Sequence, residues 1–143
     1  MGVLLALTGV GFAQGEGAST SANVPSGGAL HAEAYSPAKL AQLRKEGRPV
    51  FVDATAAWCI TCLVNEKVAL SSPAVADAFA RTHTAYLVAD WTKRDADITA
   101  LLSEHGRSGV PLYLVYKPGA PAADVLPQIL TPDAVLTEVS GKN

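Results

Sequence analysis

Val52-Asp53-Ala54-Thr55-Ala56-Ala57-Trp58-Cys59-Ile60-Thr61-Cys62 holds both cysteines of a 143-residue chain, two residues apart and directly after a tryptophan. Upstream, residues 49–54 (PVFVDA) form an apolar run that reads as a buried strand; downstream, residues 59–70 read as a helix. Cys59 therefore falls where a strand and a short turn give way to a helix. Backbone N–H groups at a helix N-terminus point at first-turn side chains, and the helix dipole favours negative charge there. A thiol so placed ionises more readily, and the thiolate is the reactive form. Cys62 lies one helical turn on, so its sulfur can reach the first. The spacing predicts a reversible disulfide in which Cys59, at the turn, is exposed and attacks. Cys62 is expected to be shielded and to resolve the mixed disulfide.

Other uses of two cysteines fit less well. A bridge over so short a loop removes little chain entropy, so a purely stabilising role is weak. Half of a zinc site needs further ligands, and His31, His83 and His105 lack a matching paired spacing. No metal is expected. Two buried, inert thiols remain an alternative, one that the strand-turn-helix context disfavours.

Composition narrows the function classes. Apolar residues make up 49% of the chain, near the globular average, so a packed domain is expected. The net charge of -2 offers no basic stripe for nucleic acid. Arg44, Lys45 and Arg48 form the one basic cluster and read as a solvated helix end. Residues 1–13 are apolar and uncharged, yet shorter than the ~20 residues that span a bilayer. With no basic residue ahead of the apolar run, they read as the end of a transmembrane helix in preference to a signal peptide. Residues 14–29 (QGEGASTSANVPSGGA) are small, polar and Gly/Ser-rich, and read as a flexible linker. A folded domain is expected over residues 30–143.

Strand and helix signals alternate along that domain. Ser36-Pro37 opens a helix that Gly47 stops. Ser72-Pro73 restarts a helical piece to Arg81, and residues 84–89 are a strand. Residues 95–105 are a helix with Ile98, Leu101 and Leu102 on one face and Gly106 as terminator. Residues 110–116 form a strand, residues 117–121 a turn, and residues 125–130 a weaker strand. Thr131-Pro132 caps a last helix. The order α-β-α-β-α-β-β-α predicts an α/β fold, a sheet covered by helices.

Two acids join the thiols as candidates. Asp53 lies in an apolar strand, so burial should raise its pKa, and a poised carboxyl near a thiol can move a proton. Its alternative is a strand-end hydrogen-bond acceptor. Glu66 lies one turn beyond Cys62 on the same helix face; its alternative is a solvated helix residue. Trp58 is expected beside the active site, Trp91 and Tyr86 in the core or at its rim, and His83 and His105 at the surface.

The segment 52–62 resembles the active-site segment of the thioredoxin superfamily. Asp53 stands six positions before the first cysteine, Trp58 directly before it, and Gly109-Val110-Pro111 matches the later cis-proline. The strings FVDATAAWCITCLVNE and GRSGVPLYLVY are more similar to the C-terminal domain of DsbD-type thiol:disulfide interchange proteins, including the ScsB branch, and Glu66 matches an acid that this group keeps near its cysteines. The resemblance implies a thioredoxin fold with a central mixed sheet. It implies a protein-disulfide reductase domain with Cys59, Cys62, Asp53 and Glu66 as catalytic residues and Trp58, Val110 and Pro111 meeting the substrate, and no cofactor beyond the Cys59–Cys62 disulfide. It implies further a monomeric domain tethered on the periplasmic side of a bacterial inner membrane. A membrane-embedded domain would supply electrons, and periplasmic thioredoxin-like or disulfide-isomerase-type proteins, including those of cytochrome c biogenesis, would receive them. Leu63 replaces a basic residue common in the group, and Ile60-Thr61 replaces the Gly-Pro of thioredoxin. A thioredoxin-fold binding or assembly module, or a stand-alone secreted thioredoxin, are the competing readings. A binding module has no need for Asp53, Trp58, the cysteine pair and Pro111 together.

Overall fold

The computed structural model describes residues 30–140. The expectations for residues 1–13 and 14–29 lie outside the described residues. The elements are β1 (Ala32–Ala34), α1 (Pro37–Lys45), β2 (Val50–Thr55), α2 (Ile60–Asn65), a π-helical turn (Glu66–Leu70), α3 (Pro73–Thr82), β3 (Ala85–Asp90), α4 (Ala96–Glu104), β4 (Leu112–Tyr116), β5 (Asp124–Val125) and α5 (Pro132–Val139). Five strands form one mixed sheet in the order β1-β3-β2-β4-β5. The first three run parallel, whereas β4 runs antiparallel to both β2 and β5.

Alternation along the strands sorts side chains onto two faces. Phe51, Tyr86, Val88, Tyr113 and Val115 pack on one face, under Ala69, Leu70, Val75, Phe79, Val135 and Val139 from the π turn, α3 and α5. Val50, Val52, Ala54, Leu87, Leu112 and Leu114 pack on the other, under α1 and α4 through Leu40, Leu43, Ile98, Leu101 and Leu102. Asp53 shares its parity with Phe51, so its carboxyl belongs to the first face, opposite Tyr113 in the β2–β4 register.

Helix ends follow the local chemistry. The Ser36 hydroxyl accepts the Lys39 N–H at 3.0 Å, the Asp95 carboxylate accepts from Asp97 and Ile98, and the Thr131 hydroxyl accepts the Ala134 N–H at 3.1 Å. Gly106 takes φ 67° just past α4, a conformation that glycine adopts without a Cβ penalty.

Three expectations need correction. β1 was not anticipated: Ala32-Glu33-Ala34 carries no β-branched or aromatic residue, and only pairing with β3 makes it a strand. The strand expected over residues 125–130 is confined to Asp124–Val125. Beyond it the Leu126 N–H still bonds the Tyr113 carbonyl, and then the Asn65 side chain takes over the backbone of Gln128 and Leu130. The helix expected over residues 59–70 widens to a π turn after Asn65. The wider i→i+5 turn brings Leu70 round toward the inward side that Asn65 occupies, and both are buried.

Candidate active site

Cys59 caps the N-terminus of α2 and is bonded to Cys62, with their Cα atoms 5.3 Å apart. The Cys62 N–H points at the Cys59 sulfur at 3.2 Å. In the dithiol state that N–H is a ready donor to a Cys59 thiolate. The pair packs with Ala56 and Val110. Cys59 is only 8% exposed and Cys62 2%, so the expectation of an exposed Cys59 is corrected: it packs with Ala56, Cys62 and Val110, and only the order of exposure holds.

The Val110–Pro111 peptide is cis, and Val110 touches the cysteine cluster, so the two segments matched at residues 52–62 and 109–111 meet. β4 begins directly after this loop and runs antiparallel to β2, which returns Pro111 to the end of β2 where the cysteines lie. Pro111 itself is buried and Val110 is partly exposed. Trp58 is half exposed at the rim, its ring centroid 5.9 Å from that of the buried Trp91. On α2 the apolar side chains of Ile60, Leu63 and Val64 face solvent.

Asp53 is buried on the first face of the sheet. Its Oδ2 accepts the Tyr86 hydroxyl at 2.6 Å, and its Oδ1 has no hydrogen-bond partner. Loss of hydration pushes its carboxyl up from 3.8 to about 7; the Tyr86 hydrogen bond opposes this and the nearby Glu66 charge adds to it. Asp53, Ala56, Ala57, Leu63, Glu66, Asp90 and Thr92 are among the residues around a cavity of about 50 Å³ beneath the active-site turn. Glu66 is half-buried there and not a freely solvated helix residue, and partial burial also raises its pKa. The same desolvation raises the Tyr86 hydroxyl far above its ordinary value, with the Asp53 charge next in effect, so it serves as a donor.

Several residues at the site carried no usable sequence signal. Asn65 is buried within α2. Its amide donates to the Tyr113 hydroxyl at 3.0 Å and the Gln128 carbonyl at 2.6 Å, and its oxygen accepts the Leu130 N–H at 3.0 Å. Asp90 and Thr92 reach the active-site turn from the end of β3. His83 is exposed as expected, whereas His105 is half-buried with a ring nitrogen 2.9 Å from the Leu101 carbonyl. Among the described residues no group of three His, Cys, Asp or Glu side chains is arranged to hold a metal ion.

A family model described as thioredoxin-like matches residues 31–118. The thiol:disulfide interchange protein DsbD of Escherichia coli K12 is 37% identical over 76 residues, 53% of this chain and 13% of that protein. The chain thus spans a small part of the curated relatives it matches. Among solved structures, the oxidised DsbD C-terminal domain of Neisseria meningitidis is 26% identical with a TM-score of 0.56, over 70% of this chain and 89% of that one. A thioredoxin from Thermus thermophilus has a TM-score of 0.61 at 21% identity, over 78% of this chain and 85% of that one, and supports the fold alone.

Proposed function

The chain belongs to the thioredoxin-like family and carries a disulfide-bonded CxxC pair, and on that premise we propose that it is a thiol:disulfide oxidoreductase domain that reduces disulfides of partner proteins. The observation that carries this is the pairing of Cys59 and Cys62 at the start of α2, where the Cys62 N–H points at the Cys59 sulfur.

In the dithiol form, the Cys59 thiolate, held by the Cys62 N–H, attacks a partner disulfide. The partner's S–S bond breaks, a mixed disulfide forms on Cys59, and one partner sulfur leaves as thiolate. Cys62 then loses its proton to Asp53, whose carboxylate is a base near neutral pH. The Cys62 thiolate attacks the Cys59 sulfur, closes the internal disulfide and releases the partner's second thiolate. Two electrons pass to the partner. Glu66, at the wall of the same cavity, is the group through which the proton leaves toward solvent. Trp58 and Val110 form the surface a partner chain meets, with Pro111, joined to Val110 by the cis peptide, buried beside them.

The likeness to DsbD supports the finer reading. A membrane-embedded domain reloads the disulfide with two electrons, and periplasmic thioredoxin-like or disulfide-isomerase-type proteins consume them. The domain works as a monomer, on the periplasmic side of a bacterial inner membrane, held by a tether. Among the described residues no helix is long and apolar enough to cross a membrane.

The test is equilibration of the Cys59–Cys62 pair with glutathione. A potential well below that of protein disulfide isomerase, roughly -180 mV, supports a reductant. A value near roughly -120 mV, the strong-oxidant end, overturns the direction. A pair that does not exchange overturns the redox reading in favour of a binding module.

A further inference from the structure

The loop after β3 grips the active-site turn at several points. The Trp91 N–H donates to the Thr55 carbonyl at 2.7 Å. The Ala57 N–H donates to the Thr92 hydroxyl at 2.9 Å, and the Trp58 indole N–H donates to the Thr92 carbonyl at 3.1 Å. Thr92 is itself pinned: its N–H and its hydroxyl both donate to the Asp90 carboxylate. Arg94, in the left-handed region at φ 54°, lays its guanidinium over both indoles, 5.4 Å from Trp58 and 5.0 Å from Trp91. Trp91 reaches the other side of the site as well, since a Cβ placed on Gly109 would lie 3.9 Å from its ring.

We infer that Thr92 is a positioning residue for the thiol chemistry, fixing the turn that carries Cys59 through its Asp90-anchored hydroxyl and thereby stabilising the dithiol form relative to the disulfide. The inference rests on the redox reading above. In the oxidised protein a covalent bond ties Cys59 to the first turn of α2, so the place of the 56–59 turn is held from within. In the reduced protein that tie is gone. The Cys59 N–H still bonds the Ala56 carbonyl at 3.1 Å, inside the turn itself. The Cys62 and Leu63 N–H groups still reach the Cys59 sulfur and carbonyl from within α2, at 3.2 and 3.1 Å, so the hydrogen bonds that tie the turn to β3 and its loop, through Thr92, carry a larger share of its placement. A contact that matters more to the reduced state must favour reduction.

Thr92→Val keeps the side-chain shape and removes the hydroxyl. The Ala57 N–H loses its acceptor and Asp90 loses a donor, while the two backbone contacts of Thr92 survive. The expected result is an equilibrium with glutathione displaced about fivefold toward the disulfide, the size of one ordinary hydrogen bond. At 29.6 mV per tenfold this is about 20 mV more negative. Thr92→Ser, which keeps the hydroxyl, should restore the wild-type equilibrium. Asp90→Asn alters only an exposed side chain and should move it the same way by less, which keeps the test open if the valine variant does not fold. A residue that merely stabilises the fold would weaken oxidised and reduced forms alike. A Thr92→Val equilibrium within twofold of wild type, with equal loss of urea stability in both redox forms, overturns the inference and leaves the redox reading intact. A wild-type protein that does not exchange with glutathione overturns both.

Discussion

Asp53→Asn should change how stability depends on pH far more than it changes stability at any single acid pH. The folded protein holds the Asp53 carboxyl at about 7, against 3.8 for a solvated aspartate. The unfolded chain releases this proton at low pH, and the folded chain keeps it until near neutrality. Stability from this group is therefore complete below pH 3.8 and is lost steadily as pH rises through about 7. At 1.36 kcal/mol for each pH unit, the loss across that interval is about 4 kcal/mol. Asparagine cannot ionise and suffers no such loss. Its amide oxygen can still accept the Tyr86 hydroxyl, while its NH₂ enters the place of Oδ1, which has no partner. That mismatch adds a pH-independent cost of about 1–3 kcal/mol. The readout is thus the slope and not the offset. The assay is urea unfolding of the oxidised proteins from pH 4.5 to 8.5, followed by the fluorescence of Trp58 and Trp91. Keeping the disulfide closed removes thiol titration from the comparison. The variant should gain on wild type by about 3–4 kcal/mol between the two ends. A difference that stays flat to within about 1 kcal/mol would show that Asp53 ionises as freely as in water, and the proton-acceptor role would fall with it.

Three further outcomes follow from the same geometry. Glu66→Gln removes the charge that helps raise the Asp53 pKa, so the decline in stability, which still begins at the unfolded-chain value of 3.8, should end at lower pH than in wild type; an unmoved end point would separate the two acids. Asn65→Ala strands the Tyr113 hydroxyl and the backbone of Gln128 and Leu130, and should cost at least about 2 kcal/mol in urea unfolding, with a loss below about 0.5 kcal/mol counting against a structural role. Cys62→Ala should accumulate mixed disulfides with partner proteins while Cys59→Ala accumulates none, as seen on non-reducing gels; equal trapping by both would reverse the assignment of attacking and resolving thiols.

The elements that position the site were legible because their signals are local. Ser36-Pro37, Thr131-Pro132 and Gly106 mark helix ends through contacts within a few residues, and the apolar run before Asp53 has the period and length of a buried strand. The burial of Asp53 follows from the apolar strand that carries it, and the cis Val110–Pro111 peptide beside the cysteines is as the family resemblance implied. What escaped depends on partners distant in sequence. The Asn65 bonds span up to 65 residues, and the Thr92 contacts to the active-site turn span 35 and 34. A threonine in a loop has no local mark of such a role. The near-burial of Cys59 was missed for the same reason, since Val110, one of the residues that cover it, lies far along the chain.

The antiparallel setting of β4 has a practical corollary. Its start, beside Pro111, lies at the thiol end of the sheet, and its five residues carry the chain roughly 17 Å away to Lys117. The turn that follows, with Gly119 at φ 75° and solvent on Pro118 and Gly119, is therefore remote from the redox chemistry yet rigidly joined to it by a central strand. A fluorophore, spin label or affinity handle attached there would report on orientation and capture without shielding the cysteines, which makes residues 118–119 the natural anchorage for a probe of the domain.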